Sequence, residues 1–323
     1  MSNCKLTEQK STKFKGKTLF TDGPDCIQST AVYVSEKHDK TETSAWNVIL
    51  WFHGWHVKDF KKNIFGDDTK GGNNKLRESV DAAGQDVVVI VPWLGFKSKV
   101  DGKIVDNGYG LGNLGKKGTS VKDYLDQVLG LISHGMDSTK IDKLVLACHS
   151  GSDGLMRAAT SQLGEDLKKN RLKECWGFDC INSEGQIFGT WADGLPWVSF
   201  YFYVALGSID YGNFPSHLIY AYGTPQKPRK PPMAKVFLAP AVNGPDLINV
   251  PDDQVIESFD AIQKKQQAAL SAYEKLRLEL DPLLDSKKGD WETEVKKHHL
   301  KQHYEVVQDL LKPRIERLFT KKP

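Results

Sequence analysis

Lys143-Leu-Val-Leu-Ala-Cys148-His149-Ser150-Gly151-Ser152, followed by Asp153-Gly-Leu-Met-Arg-Ala-Ala159, is the stretch that decides the fold. Five apolar residues of strand length run into a short polar turn and then into residues with helical preference. Serine stands at the apex. So sharp a strand-to-helix turn is crowded, and the residues two before and two after the serine must be small; here they are Cys148 and Ser152. A helix that starts just after the serine points its N–H groups and the positive end of its dipole at any oxyanion formed there. The competing reading is a serine that only caps the helix.

Upstream, Val48-Ile-Leu-Trp-Phe52-His53-Gly54-Trp55 is a second strand, ending in a His-Gly-Trp step. Together with the serine turn it resembles the α/β-hydrolases, in which a His-Gly step follows the strand before the oxyanion loop. The resemblance runs from about Ala31 to Leu163, and departs from the family's usual pattern where Cys148 and Ser152 replace glycines around the serine. It implies Ser150 as nucleophile, with the backbone N–H groups of Trp55 and Gly151 forming the oxyanion hole. In the family's chain order an acid follows the elbow and a histidine comes last. Two acids fit: Asp179, in Trp176-Gly-Phe-Asp179-Cys180 at a strand tip, and Asp210, after the following strand. Asp179 is preferred because a strand tip brings it beside the nucleophile. His298, His299 and His303 follow the last strand, and His303 is preferred because it precedes the apolar part of the closing helix. The competing reading for these histidines is a solvated polar face, given the adjoining Lys296-Lys297 pair.

The rest of the chain supports an α/β architecture. Thr30–Ser35, Asn47–Phe52, Asp86–Val91, Lys143–Ala147, Glu174–Phe178, Val198–Ala205 and Lys235–Leu238 read as strands, most of them continuous apolar runs suited to a parallel sheet covered on both faces. Val121–Ile132 and Gly154–Leu163 carry helical spacing. The expected fold is a mostly parallel sheet flanked by helices, with a polar segment over 1–29 and the domain over 30–323. A helical insertion is expected over about 242–295. There Val255, Phe259, Ile262, Gln266, Ala269, Tyr273, Leu276, Leu280 and Leu283 form a heptad-type seam, and Trp291–Phe319 reads as a second helix of a C-terminal hairpin.

Two motifs offer other chemistry. Gly110-Leu-Gly-Asn-Leu-Gly115 spells a dinucleotide fingerprint, but no strand is expected to run into it, and a loop over the site is the better reading. His299 and His303 stand four apart, yet no glutamate of the metalloprotease kind accompanies them, so no metal is expected. Acyl transfer through a serine needs no cofactor. Trp55, Trp93 and Trp191, in loops after strand ends, are candidates to line an apolar cleft for a small-molecule or acylated substrate.

The chain has 323 residues, with 44 basic and 41 acidic side chains and a net charge of +3. That balance gives no reason to expect nucleic acid as a partner. Residues 1–17 lack the apolar core of a secretory signal, and Trp197–Ile209 is too short to span a bilayer. Five cysteines without metal-ligand spacing read as free thiols in a reducing cytoplasm. The expectation is therefore a serine hydrolase of esterase type. A peptidase or amidase on the same residues is the first alternative, and a non-catalytic binding protein using the 255–311 helices the second.

Overall fold

The computed structural model describes residues 4–22, 29–38, 45–55, 57–66, 72–101, 103–114, 119–180, 191, 194–204, 223–224, 227–228, 235–240 and 304–320. In chain order its strands are β1 (Lys5–Gln9), β2 (Lys17–Asp22), β3 (Thr30–Val34), β4 (Trp46–Phe52), β5 (Val88–Pro92), β6 (Phe96–Val100), β7 (Lys103–Asn107), β8 (Ile141–His149), β9 (Leu172–Phe178), β10 (Ser199–Val204), β11 (Gly223–Thr224), β12 (Lys227–Pro228) and β13 (Lys235–Pro240). The described helices are α1 (Phe60–Ile64), α2 (Leu76–Ala83), α3 (Val121–Ile132), α4 (Asp153–Thr160) and α5 (Glu305–Phe319).

Nine strands form one sheet in the order β1-β2-β3-β5-β4-β8-β9-β10-β13. From β5 to β13 neighbours run parallel, whereas β1, β2 and β3 pair antiparallel at one edge. Side chains of the central strands alternate between two cores. Val48, Leu50 and Phe52 pack with Val121, Leu125, Val128 and Met156 of α3 and α4. Ile49 and Trp51 pack with Phe60, Leu76, Val80, Val307 and Leu311 of α1, α2 and α5. Both faces of the central strands are therefore covered, which is why those strands are near-continuous apolar runs. A capping box starts α3: Ser120 Oγ accepts the Asp123 N–H at 3.1 Å and the Asp123 carboxylate accepts the Ser120 N–H at 3.3 Å.

The strand order also locates the crevice. From β4 the chain moves to β5 on one side, and it later returns to place β8 on the other side of β4. The segment after β4 leads to helices on one face, and the turn after β8 leads to α4 on the opposite face. Such a switch point leaves a crevice at the carboxyl ends of the strands. Parallel order, flanking helices and a strand–serine–helix turn together give an α/β-hydrolase-type fold.

The expected strands and the helices at Val121–Ile132 and Gly154–Leu163 are present, with ends shifted by a few residues, and of the expected helix Trp291–Phe319 the part over Glu305–Phe319 is described. The sequence did not reveal β1 and β2, which extend the sheet within the segment read as a polar lead-in. Nor did it reveal the β6–β7 hairpin, whose strand β7 ends three residues before Gly110 rather than running directly into the Gly-rich run. β7 belongs to a separate two-stranded sheet and is followed by a short 3-10 turn over Leu111–Leu114, so the βαβ setting of a dinucleotide site is not formed. The expectation of free thiols fails at Cys4, which is disulfide-bonded; Cys148, Cys175 and Cys180 are buried thiols. Among the described residues no helix is long and apolar enough to cross a membrane. The heptad-type seam and the 242–295 insertion lie outside the described residues.

Candidate active site

Ser150 follows the last residue of β8 and has φ +60. A side chain there meets its own backbone, at a cost of about 1–3 kcal/mol that the surroundings must offset. They do so with a set of hydrogen bonds. The Ser150 N–H donates to Phe178 O at 3.1 Å, and the Ser152 N–H donates to Ser150 O at 2.8 Å. Ser152 Oγ lies 2.6 Å from His149 O and 3.0 Å from Phe52 O, so its hydroxyl ties the end of β8 to the end of β4. The serine expected to be merely small enough for the turn thus also holds it together.

The loop after β4 closes on this turn. A Cβ on Gly54 would lie 2.6 Å from Ser150 Cβ and 3.2 Å from its Oγ, so only glycine permits the approach. The Trp55 indole covers Gly151 and donates through Nε1 to Gly151 O at 2.7 Å. Trp55 O in turn accepts the Lys97 N–H at 2.8 Å, and the Lys97 ammonium lies 4.9 Å from the indole centroid. The residues expected as oxyanion donors are therefore in contact with each other.

His53 is a fixed support. Its Nε2 accepts the Leu94 N–H at 3.0 Å, which leaves the proton on Nδ1 to donate to Gly54 O at 2.8 Å. The Tyr109 hydroxyl donates to His53 O at 2.6 Å, an anchor with no signal in the sequence beyond an aromatic residue beside the Gly-rich run. Burial lowers the His53 pKa from 6.5 to about 4, with a smaller opposing effect from the bond to Gly54 O. The unfolded chain takes up this proton at higher pH than the folded one. The resulting stability is complete above pH 6.5 and is lost as pH falls from 6.5 to about 4, about 3 kcal/mol in all. Urea midpoints should accordingly fall more steeply across that window for the wild type than for His53→Gln. Parallel curves would contradict a buried neutral imidazole.

Asp179 follows β9 with φ +48, is buried, and donates its N–H to Tyr203 O at 2.6 Å. Since Ser150 is bonded to Phe178 O, the two turns are held side by side. Among the described residues four non-glycines have positive φ: Lys75, Asp101, Ser150 and Asp179. Two of the four are the residues chosen from the sequence, and such strained conformations concentrate at functional sites. Asp210, His298, His299 and His303 lie outside the described residues. Next to His303, the half-exposed Tyr304 brings its ring within 5.3 Å of the His149 ring. Trp93 stacks on His53 at 5.5 Å beside the loop after β4, whereas Trp191 packs edge-on against Phe200 at 4.8 Å and donates its indole N–H to Thr160 Oγ1 at 3.1 Å, at the end of α4 away from Ser150.

No family model matches the sequence, and no curated protein matches it. The structure is similar to an S-formylglutathione hydrolase from Agrobacterium tumefaciens, at 14% identity and a TM-score of 0.43, covering 84% of this chain and 99% of that one. It is also similar to the feruloyl esterase module from Clostridium thermocellum, at 9% identity and a TM-score of 0.39, over 74% and 81% of the two chains. Vibralactone cyclase gives 10% identity and a TM-score of 0.39, over 83% and 81%.

Proposed function

We propose that the chain is a serine hydrolase that cleaves a carboxylic ester or related acyl bond through an acyl-enzyme on Ser150. The observation that carries this reading is the Ser150 backbone at φ +60, held at the carboxyl end of β8 with Gly54 packed against its side chain. A serine that only caps a helix has no need of that conformation. In the proposed reaction the Ser150 hydroxyl attacks the acyl carbon while a histidine, His303 by preference, takes its proton. His298 and His299 are the alternates. Asp179 orients the imidazole, with Asp210 as its alternate, and the Trp55 and Gly151 N–H groups stabilise the oxyanion. The position of Tyr304 beside His149 supports His303, because the neighbouring residue already stands at the elbow. The tetrahedral intermediate then collapses, breaking the ester bond and releasing the alcohol with the proton held by that histidine. Water activated by the same histidine hydrolyses the acyl-enzyme, which frees the acid and Ser150.

A panel of p-nitrophenyl esters, from acetate to long-chain acyl, tests the reading. Turnover that depends on acyl length is expected, and no turnover of any member contradicts it. Gly54→Ala should lower kcat/KM on the best ester by about 100-fold, because its Cβ, 2.6 Å from Ser150 Cβ, forces the loop away from the serine. Unchanged kcat/KM in that variant would show that loop and serine do not act together. As for compartment, the Cys4 disulfide favours an oxidising environment over the cytoplasm expected from the cysteine pattern.

A further inference from the structure

Cys148 stands two residues before Ser150, and Cys180 directly follows Asp179. Their Sγ atoms are 3.1 Å apart, and both side chains are buried. Cys148 is opposite Gly177 in the β8–β9 register, and a Cβ on Gly177 would lie 2.7 Å from Cys180 Sγ. A Cβ there would also overlap the Phe202 ring, so the missing side chain of Gly177 leaves room that the ring and the second sulfur share. Forming a bond requires the sulfurs to close by only about 1 Å, to the usual length of about 2.05 Å. The third buried thiol, Cys175, makes no such contact with either sulfur among the described residues and serves as an internal control.

We propose that Cys148 and Cys180 form a disulfide in the mature protein, clamping the end of β8 to the turn after β9. A chain that carries a disulfide at Cys4 matures where thiols are oxidised, and a thiol pair already in contact is the next to react. The chemistry is ordinary exchange. The thiolate of one cysteine attacks a disulfide-bearing oxidant, protein or small molecule, and releases one of its thiols. The thiolate of the other then attacks the mixed disulfide, closing the Cys148–Cys180 bond and releasing the second thiol. Two electrons and two protons pass from the cysteines to the oxidant. Burial pushes both thiols above their ordinary pKa, which makes them slow to react once the core has closed. The exchange therefore belongs to folding, and the finished bond is shielded from reductant. The bond does not depend on the catalytic reading of Ser150 and Asp179, although it would fix the distance between their turns.

The full chain, folded with a glutathione redox pair and freed of reductant, is denatured in iodoacetamide and mapped by non-reducing peptide mass spectrometry. A peptide pair joining Cys148 to Cys180, with Cys175 alkylated, is expected. Alkylation of both Cys148 and Cys180 in protein that was folded overturns the proposal and leaves them a reduced contact pair. A second measurement uses the Cys148→Ala/Cys180→Ala variant. Reduction by a phosphine in denaturant, followed by refolding in its presence, should lower Tm several degrees further in the wild type than in the variant, and equal shifts count against the bond. Ester hydrolysis enters neither readout, so failure here and failure of the hydrolase reading are separable.

Discussion

Ser150→Ala is expected to reduce turnover of a responsive ester by about 10³- to 10⁶-fold with little change in KM. The loss should be that large because the substitution removes the attacking atom and leaves the binding surface and oxyanion donors in place. The fold should survive, since the bonds that hold the turn run through the Ser150 backbone and the Ser152 hydroxyl rather than Ser150 Oγ. A companion variant separates strain from chemistry. Ser150→Gly removes the side chain from a φ of +60, so it should be as inactive as the alanine variant yet more stable by about 1 kcal/mol. An inactive variant that is more stable than the wild type is the signature of a residue held in place for its chemistry. Near wild-type turnover in Ser150→Ala would remove the nucleophile from the mechanism.

The second large effect concerns the buried ion pair beneath the closing helix. The Arg314 guanidinium donates to Glu174 Oε2 at 2.5 Å, and the same oxygen accepts the Trp176 indole N–H at 2.5 Å. The guanidinium also lies over the Tyr201 ring, 3.4 Å from its centroid, and the two charged side chains are only 4% and 6% exposed. Arg314→Met leaves the Glu174 carboxylate buried without its counter-charge, and a loss of about 3–5 kcal/mol is expected in urea unfolding. Adding Glu174→Gln should recover part of it, because the uncompensated charge is then gone. Since α5 brings Tyr304 to the elbow, Arg314→Met should also weaken ester hydrolysis at temperatures where it remains folded. A loss below 1 kcal/mol would mean that the pair does not anchor the helix.

The parts of this molecule that were legible in the sequence are those in which one local pattern carries the structure. Strands such as Asn47–Phe52 and Lys143–Ala147 announce themselves as apolar runs because both faces of the central sheet are covered. The edge strand Lys5–Gln9 is largely exposed and reads KLTEQ, with nothing for periodicity to detect. The β6–β7 hairpin was missed for a similar reason, since β7 is exposed along its whole length. At the candidate site, the turns bearing Ser150 and Asp179 could be placed because each follows a readable strand. What ties them together could not. The Cys148–Cys180 contact and the Tyr109 anchor on His53 span 32 and 56 residues of chain, and they exist only once the sheet is assembled. For the histidine, chain order narrows the field to His298, His299 and His303. The selection of His303 over its neighbours rests on a helix start that periodicity fixes only to within about a turn.

Labelling with a fluorophosphonate probe tests the nucleophile most directly. The reagent phosphonylates a serine only where a base and oxyanion donors activate it. Stoichiometric modification of the folded wild-type chain is predicted, located by peptide mass spectrometry on Ser150 and abolished in Ser150→Ala. No modification of the folded chain, or equal modification of Ser150→Ala, would contradict a serine hydrolase built on this elbow.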